Sequence, residues 1–180
     1  MTREELVRRV AAGESGFRYL LFWGHAAPRP NAQLSQWYPS PFTVEGVAYP
    51  TAEHWMMAEK ARLFGDARTR DAILAARSPG AAKKLGREVQ GFDEATWGTH
   101  RFGIVVAGSI HKFGHSAALR EALLRTGDQV LVEASPTDRV WGIGLAQDHP
   151  DARDPARWRG ENLLGFALMD ARDELRRSED

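Results

Sequence analysis

The segment Thr51-Ala52-Glu53-His54-Trp55-Met56-Met57-Ala58-Glu59-Lys60-Ala61 sets two carboxylates, an imidazole and an amine into an otherwise apolar run. A carboxylate can stabilise positive charge or shuttle a proton, and a desolvated lysine can act as a nucleophile. Trp55, Met56, Met57, Ala58 and Ala61 make the run apolar nearly all round, which predicts a buried helix. Ionisable groups on such a helix must be paired, hydrated in a cleft, or used. Glu53, Met57, Lys60 and Phe64 recur at helical spacing and form one stripe. Glu53 and Lys60 then stand roughly 10 Å apart along the axis. That is too far to pair and enough to admit a sugar-sized ligand. The competing reading sends both charges to solvent at the helix ends.

The neighbouring residues predict how this helix is held. Phe42 and Val44, then Val47 and Tyr49, flank Glu45-Gly46, as in a short hairpin. Pro50 stops the second strand, and Thr51 is placed to cap the helix. Further along, Asp66 to Arg77 reads as a helix with Ala67, Ile73, Leu74 and Ala75 inward. Ser78-Pro79 starts another, by cap and first-turn proline. That helix gathers Lys83, Lys84 and Arg87, which is either a solvated face or a phosphate contact. Asp93 or Glu94 opens a long helix to Phe113, with Trp97, Arg101, Ile104, Val105, Gly108 and Ser109 inward. Close packing is expected to explain its Gly103 and Gly108.

The segment 39–61, with Pro39-Ser40-Pro41-Phe42, Tyr49-Pro50-Thr51-x-Glu53-His54 and Ala58-x-Lys60-Ala61, resembles the YbiA-like, or NADAR, family. Later pieces agree in order: Ser78-Pro79, Ala82 to Arg87, Trp97, and His111-Lys112-Phe113. Then come Thr126-Gly127-Asp128, Leu131 to Pro136, Asp138, Trp141-Gly142-Ile143-Gly144, and Gly160-x-Asn162-Leu163-Leu164-Gly165. The resemblance spans about residues 20–176, and so many ordered matches make it specific.

The rest of the chain frames that reading. The length of 180 residues suits one domain with a sizeable core. The expected division is an accessory N-terminal helix within 1–16 and a YbiA-like domain over 17–180. Thr2 and Glu5 fit a capping box, with Leu6, Val7 and Val10 on one face. Arg18 to His25 reads as a strand, 26–36 as a loop, and Val130 to Ala134 as a second strand. Ser116 caps a helix through Leu124, and Gly127 ends it. Residues 135–161 form the longest irregular stretch, of a kind that is usually functional or mobile. Asn162 is read as the cap of a final helix that buries Leu164, Leu168, Ala171 and Leu175. Arg172, Arg176 and Arg177 near its end suit the dipole. The fold class is α+β: mainly helical, with a few short strands at one side. Without strand–helix alternation or Gly-x-Gly-x-x-Gly, a dinucleotide-binding parallel sheet is not expected.

Balanced charge, 24 basic against 24 acidic residues, gives no global field toward nucleic acid or membrane. There is no cysteine, hence no disulfide, thiolate nucleophile or Cys-type zinc site. The six histidines show no His-Glu-x-x-His pattern, and His111 and His115 have Gly114 between them. No metal and no cofactor are expected. No apolar run approaches a membrane span and no signal-peptide core is seen, so a cytoplasmic protein without an obligate protein partner is the expectation.

The resemblance implies an N-glycosidase acting on nucleotide-like substrates. Two types are associated with the family: ADP-ribose on guanine bases, and phosphorylated intermediates of riboflavin biosynthesis. Cleaving a C–N glycosidic bond builds positive charge at the sugar carbon, which a carboxylate can stabilise. Glu53 and Asp138 are the candidate pair, and both match family positions. Lys60 is a third catalytic candidate, through a Schiff base at an opened sugar. Trp97 and Trp141 are candidate stacking surfaces, or core fillers, and Gly142 permits close approach of a ligand. His54 and Asn162 complete the candidate substrate contacts. The rival reading is a non-catalytic module that binds ADP-ribose or a nucleotide.

Overall fold

The computed structural model describes residues 1–26 and 28–178. In chain order its elements are α1 (Arg3–Ala11), β1 (Tyr19–Phe22), β2 (Phe42–Val44), β3 (Val47–Tyr49), α2 (Ala52–Leu63), α3 (Ala67–Leu74), α4 (Pro79–Gly86), α5 (Glu94–Gly114), α6 (Ala117–Leu124), β4 (Val130–Glu133) and α7 (Leu163–Arg177). Helices dominate, as an α+β reading requires. The chain divides into two compact units, one formed by Gln36–Arg120, the other by Met1–Ser35 with Glu121–Asp180.

In the Gln36–Arg120 unit, β2 and β3 form an antiparallel hairpin. Glu45 and Gly46 both take positive φ, 49° and 80°, as a tight two-residue connection needs. Phe42 lies opposite Tyr49, and their stacked rings, 5.6 Å apart, bury one face of the hairpin. Pro50 then ends β3, and the Thr51 hydroxyl accepts from His54 N to cap α2. A cap of this type is worth about 1 kcal/mol. Every residue from Ala52 to Glu59 is buried, and so is Ala61, because α3, α4 and α5 all pack on α2. Ser78 and Asp93 cap α4 and α5 through the same bond to the third residue on.

Two expectations about these helices change. In α3 only Ile73 is buried; Ala67 and Ala75 are exposed and Leu74 is half-buried. Gly108 does serve close packing, since a Cβ there would meet Trp55 Cδ1 at 2.3 Å. Gly103 does not, for nothing stands within 4 Å of a Cβ at that position.

In the other unit, β1 and β4 form a parallel pair, with Tyr19 opposite Val130 and Phe22 opposite Glu133. Among the described residues the strands make two two-stranded sheets, one in each unit. β1 is shorter than the expected 18–25 span, because Gly24 turns the chain at φ 84° after an exposed Trp23. α7 packs on β4 and buries Leu164, Leu168, Ala171 and Leu175. Arg172 is buried as well and does more than face a dipole: its Nη1 donates to Thr126 Oγ1 and to Gln129 O. Thr2 caps α1 as read, accepting from Glu5 N. The 135–161 stretch contains two 3₁₀ turns, Pro150–Arg153 and Pro155–Arg157.

Candidate functional site

Glu53 lies in the first turn of α2, where unpaired backbone N–H groups favour negative charge. Its own N–H donates to Gln36 O at 3.0 Å, and the residue is 2% exposed. Lys60, further along the same face, is half-buried. Its Nζ donates to Gly86 O at 2.8 Å and stands 4.1 Å from the Phe92 ring centre and 5.6 Å from that of Trp97. Burial holds this amine below the ordinary lysine value, while Glu94 pulls weakly the other way. The carbonyl and the two rings favour the cation, so desolvation is the stronger effect. Trp97 is buried, whereas Phe92 keeps 41% exposure and puts an aromatic ring at the rim beside the amine. Glu53, Lys60 and Trp97 thus belong to one unit, around one face of α2.

His54 is placed differently from a ligand contact. It is 1% exposed, its Nδ1 lies 2.8 Å from Thr51 Oγ1, and its Nε2 lies 3.1 Å from Ala76 O. A carbonyl only accepts, so Nε2 carries the proton and Nδ1 accepts from the threonine hydroxyl. Burial lowers the ring's pKa and keeps it neutral. His54 therefore fastens the start of α2 to the chain after α3.

The remaining candidates lie in the unit that contains β1 and β4. Asp138 Oδ1 accepts from Val140 N at 2.9 Å and from Trp141 N at 2.8 Å, which fixes the turn that carries the half-buried Trp141. At Gly142 the chain itself makes a close approach. A Cβ would meet Glu133 O at 2.8 Å and Asp138 O at 3.1 Å. Asn162 begins α7 but does not cap it with its side chain, since it sits at φ 57° with no such bond. Instead its Oδ1 accepts from Glu133 N and its Nδ2 donates to Leu131 O, both at 2.9 Å. The amide thereby completes the edge of β4 that β1 leaves uncovered. Backbone bonds from Ile143, Glu161, Leu163 and Leu164 tie the rest of the stretch down.

Three side chains near α2, α4 and α5 were given no role by the sequence reading. Trp37 takes the Lys83 ammonium at 6.0 Å from its ring centre, so the Lys83–Lys84–Arg87 cluster has an aromatic neighbour. Phe92 is the rim ring beside Lys60. Lys112 is 1% exposed, between the Tyr38 and Phe113 rings, and burial lowers its pKa to about 7. Its position in the His111-Lys112-Phe113 motif was the available signal. A lysine lowered in this way binds fewer protons folded than unfolded. The Lys112 contribution to stability is therefore flat below about pH 7 and rises from there toward the unfolded value near 10.5. The expected slope between pH 7 and 9.5 is at most about 1.4 kcal/mol per unit. Lys112→Met should flatten it in denaturant unfolding at fixed ionic strength. Equal slopes in the two proteins would refute the assignment.

Among the described residues no group of three or more His, Cys, Asp or Glu is arranged to hold a metal ion. Nor is any helix among them long and apolar enough to cross a membrane.

The fold and the segment around α2 define a family. The NADAR domain profile matches residues 21–176. An N-glycosidase of Acanthamoeba polyphaga mimivirus is 38% identical over 163 residues, covering 87% of this chain and 96% of that one. A riboflavin biosynthesis protein of Vibrio vulnificus (strain YJ016) is 34% identical over 142 residues, which are 79% of this chain and 35% of that protein. The NMR structure of Escherichia coli YbiA superposes with a TM-score of 0.74 at 26% identity, over 92% of this chain and 89% of that chain. The chain belongs to the NADAR domain family.

Proposed function

We propose that this chain is an N-glycosidase that hydrolyses the bond between a ribose carbon and the exocyclic amine of an aromatic base. The reaction class is the one its relatives are named for. The observation that carries the residue assignment is the pair on α2: a buried carboxylate, Glu53, and on the same face a desolvated amine, Lys60, beside the Phe92 and Trp97 rings.

In this proposal the sugar ring opens to an imine at its first carbon. Lys60 Nζ, in its neutral form, adds to that carbon. Glu53 passes a proton to the departing nitrogen, and the base leaves as a free amine. The lysine–sugar imine then takes up water, releasing an aldehyde sugar that recloses and restoring the lysine. The net reaction consumes one water and changes no oxidation state. Trp97 and Phe92 shield the amine and offer flat surface to the substrate. Asp138 and Trp141 keep their proposed roles, as a carboxylate and a stacking surface, on the strength of their family positions alone. Two substrates share the required chemistry: ADP-ribose on the amine of guanine, and phosphorylated ribosylamine intermediates of riboflavin synthesis. The name of the Vibrio relative points to the second. The Lys83, Lys84 and Arg87 cluster beside Trp37 suits the phosphate groups of either.

The test is mass spectrometry of both substrates incubated separately with the purified chain. Free base and free sugar product in molar excess over protein are expected from one of them. Saturable binding of intact ligand, with no turnover of either, would replace the enzyme reading with that of a binding module.

A further inference from the structure

α2 has a second occupied face. Trp55 and Glu59 point away from the Glu53–Lys60 stripe, one helical turn apart. Against them the hairpin, α3 and α5 leave a cavity of about 610 Å³, well within the range of small-molecule sites. Nothing in the proposed reaction uses it.

Its chemistry is that of an anion site with an apolar wall. Tyr49, Trp55 and His111 form one side, with Trp55 set 5.0 Å from Tyr49 and 5.3 Å from His111 between ring centres. The indole is fixed in place by its N–H donating to Ile104 O at 2.8 Å. Arg62 and Arg70 form the polar side with Glu59. Arg62 Nε donates to Glu59 Oε2 at 2.8 Å, so one guanidinium is matched to the one buried carboxylate. Arg70 is bonded to the Tyr49 hydroxyl, and its Nε is a buried donor with no acceptor. That Nε is closed to the cavity as well as to solvent, so an anion there would be met by the other N–H groups of the guanidinium. Glu45 also borders the cavity, but it is exposed on the hairpin turn and its charge is screened by solvent. Two guanidiniums in the lining, with apolar surface from Val44, Val47 and the rings, suit a phosphate monoester on a small organic body.

We propose that this cavity, on the face of α2 opposite Glu53 and Lys60, is a binding site for a small organic phosphate held by Arg70 and Arg62. The probe is adenosine 5′-monophosphate, titrated into the full chain while the arginine side-chain Nε–H signals are followed by ¹⁵N NMR. Saturable shifts of the Arg62 and Arg70 signals are expected, with affinity at least fivefold weaker in Arg62→Gln and in Arg70→Lys. Arg62 is largely exposed, so its variant keeps the test valid if Arg70→Lys is poorly folded. Unmoved arginine signals would overturn the proposal. So would unchanged affinity in Arg62→Gln, or equal affinity for adenosine, which lacks the phosphate. None of these outcomes depends on whether the chain turns over a glycoside.

Discussion

Glu53→Gln is expected to lower turnover by about 10²- to 10⁴-fold, the usual worth of a positioned proton-transfer group, and to leave the chain folded. Glutamine keeps the shape of the side chain and removes both the charge and the transferable proton. The start of α2 keeps three fastenings in the variant: Thr51 caps it, His54 fastens it, and the residue-53 backbone N–H reaches Gln36 O. The measurement pairs product formation with thermal unfolding. A loss confined to kcat, with the unfolding midpoint kept, is the expected pattern, because the group acts in the transition state more than in binding. A folded Glu53→Gln protein with near-normal turnover would remove Glu53 from the reaction.

What could be read from the sequence follows the range of the interactions involved. Thr51 and Ser78 were legible as caps because each bonds the third residue after it, so the signal is confined to four positions; the start of α5 was left between Asp93 and Glu94, and Asp93 is its cap. The hairpin was legible for the same reason: Glu45-Gly46 sits between two pairs of strand formers. The burial of α2 followed from large apolar residues on every side. In α3 the inward residues were misread because alanine fits either environment, and the pattern then rests on Ile73 and Leu74 alone. Where the outcome depends on residues distant in the chain, local pattern gives nothing. Gly103 and Gly108 look alike in sequence, yet only Gly108 meets Trp55. Asn162 has the composition of a cap and the function of a strand-edge clamp, set by where β4 runs. In the candidate site, the Glu53–Lys60 stripe came from helical spacing. The Phe92 ring over Lys60 and the Gly86 carbonyl beneath it did not, since both arrive from other segments of the fold.

Lys60→Arg is expected to abolish covalent trapping and to reduce turnover by about three orders of magnitude or more, as loss of a nucleophile does. Arginine keeps the positive charge and can still donate to Gly86 O or lie against Phe92 and Trp97. It cannot form an imine, because its guanidinium stays protonated at any working pH. Lysine in this place loses part of its hydration to burial, which lowers its pKa and raises the share of neutral amine near pH 7. The same direction gives the pH dependence: activity should fall as pH drops below the amine's lowered pKa, where protonation removes the attacking lone pair. Borohydride added during turnover should reduce the lysine–sugar imine to a stable secondary amine. Peptide mass spectrometry should then find the sugar adduct on the peptide containing Lys60, absent in Lys60→Arg and Lys60→Ala alike. Retention of most activity in Lys60→Arg, with no adduct trapped in the parent chain, would leave Lys60 as a charge that binds substrate. Hydrolysis would then run by direct attack of water on the sugar carbon, with Glu53 as its base.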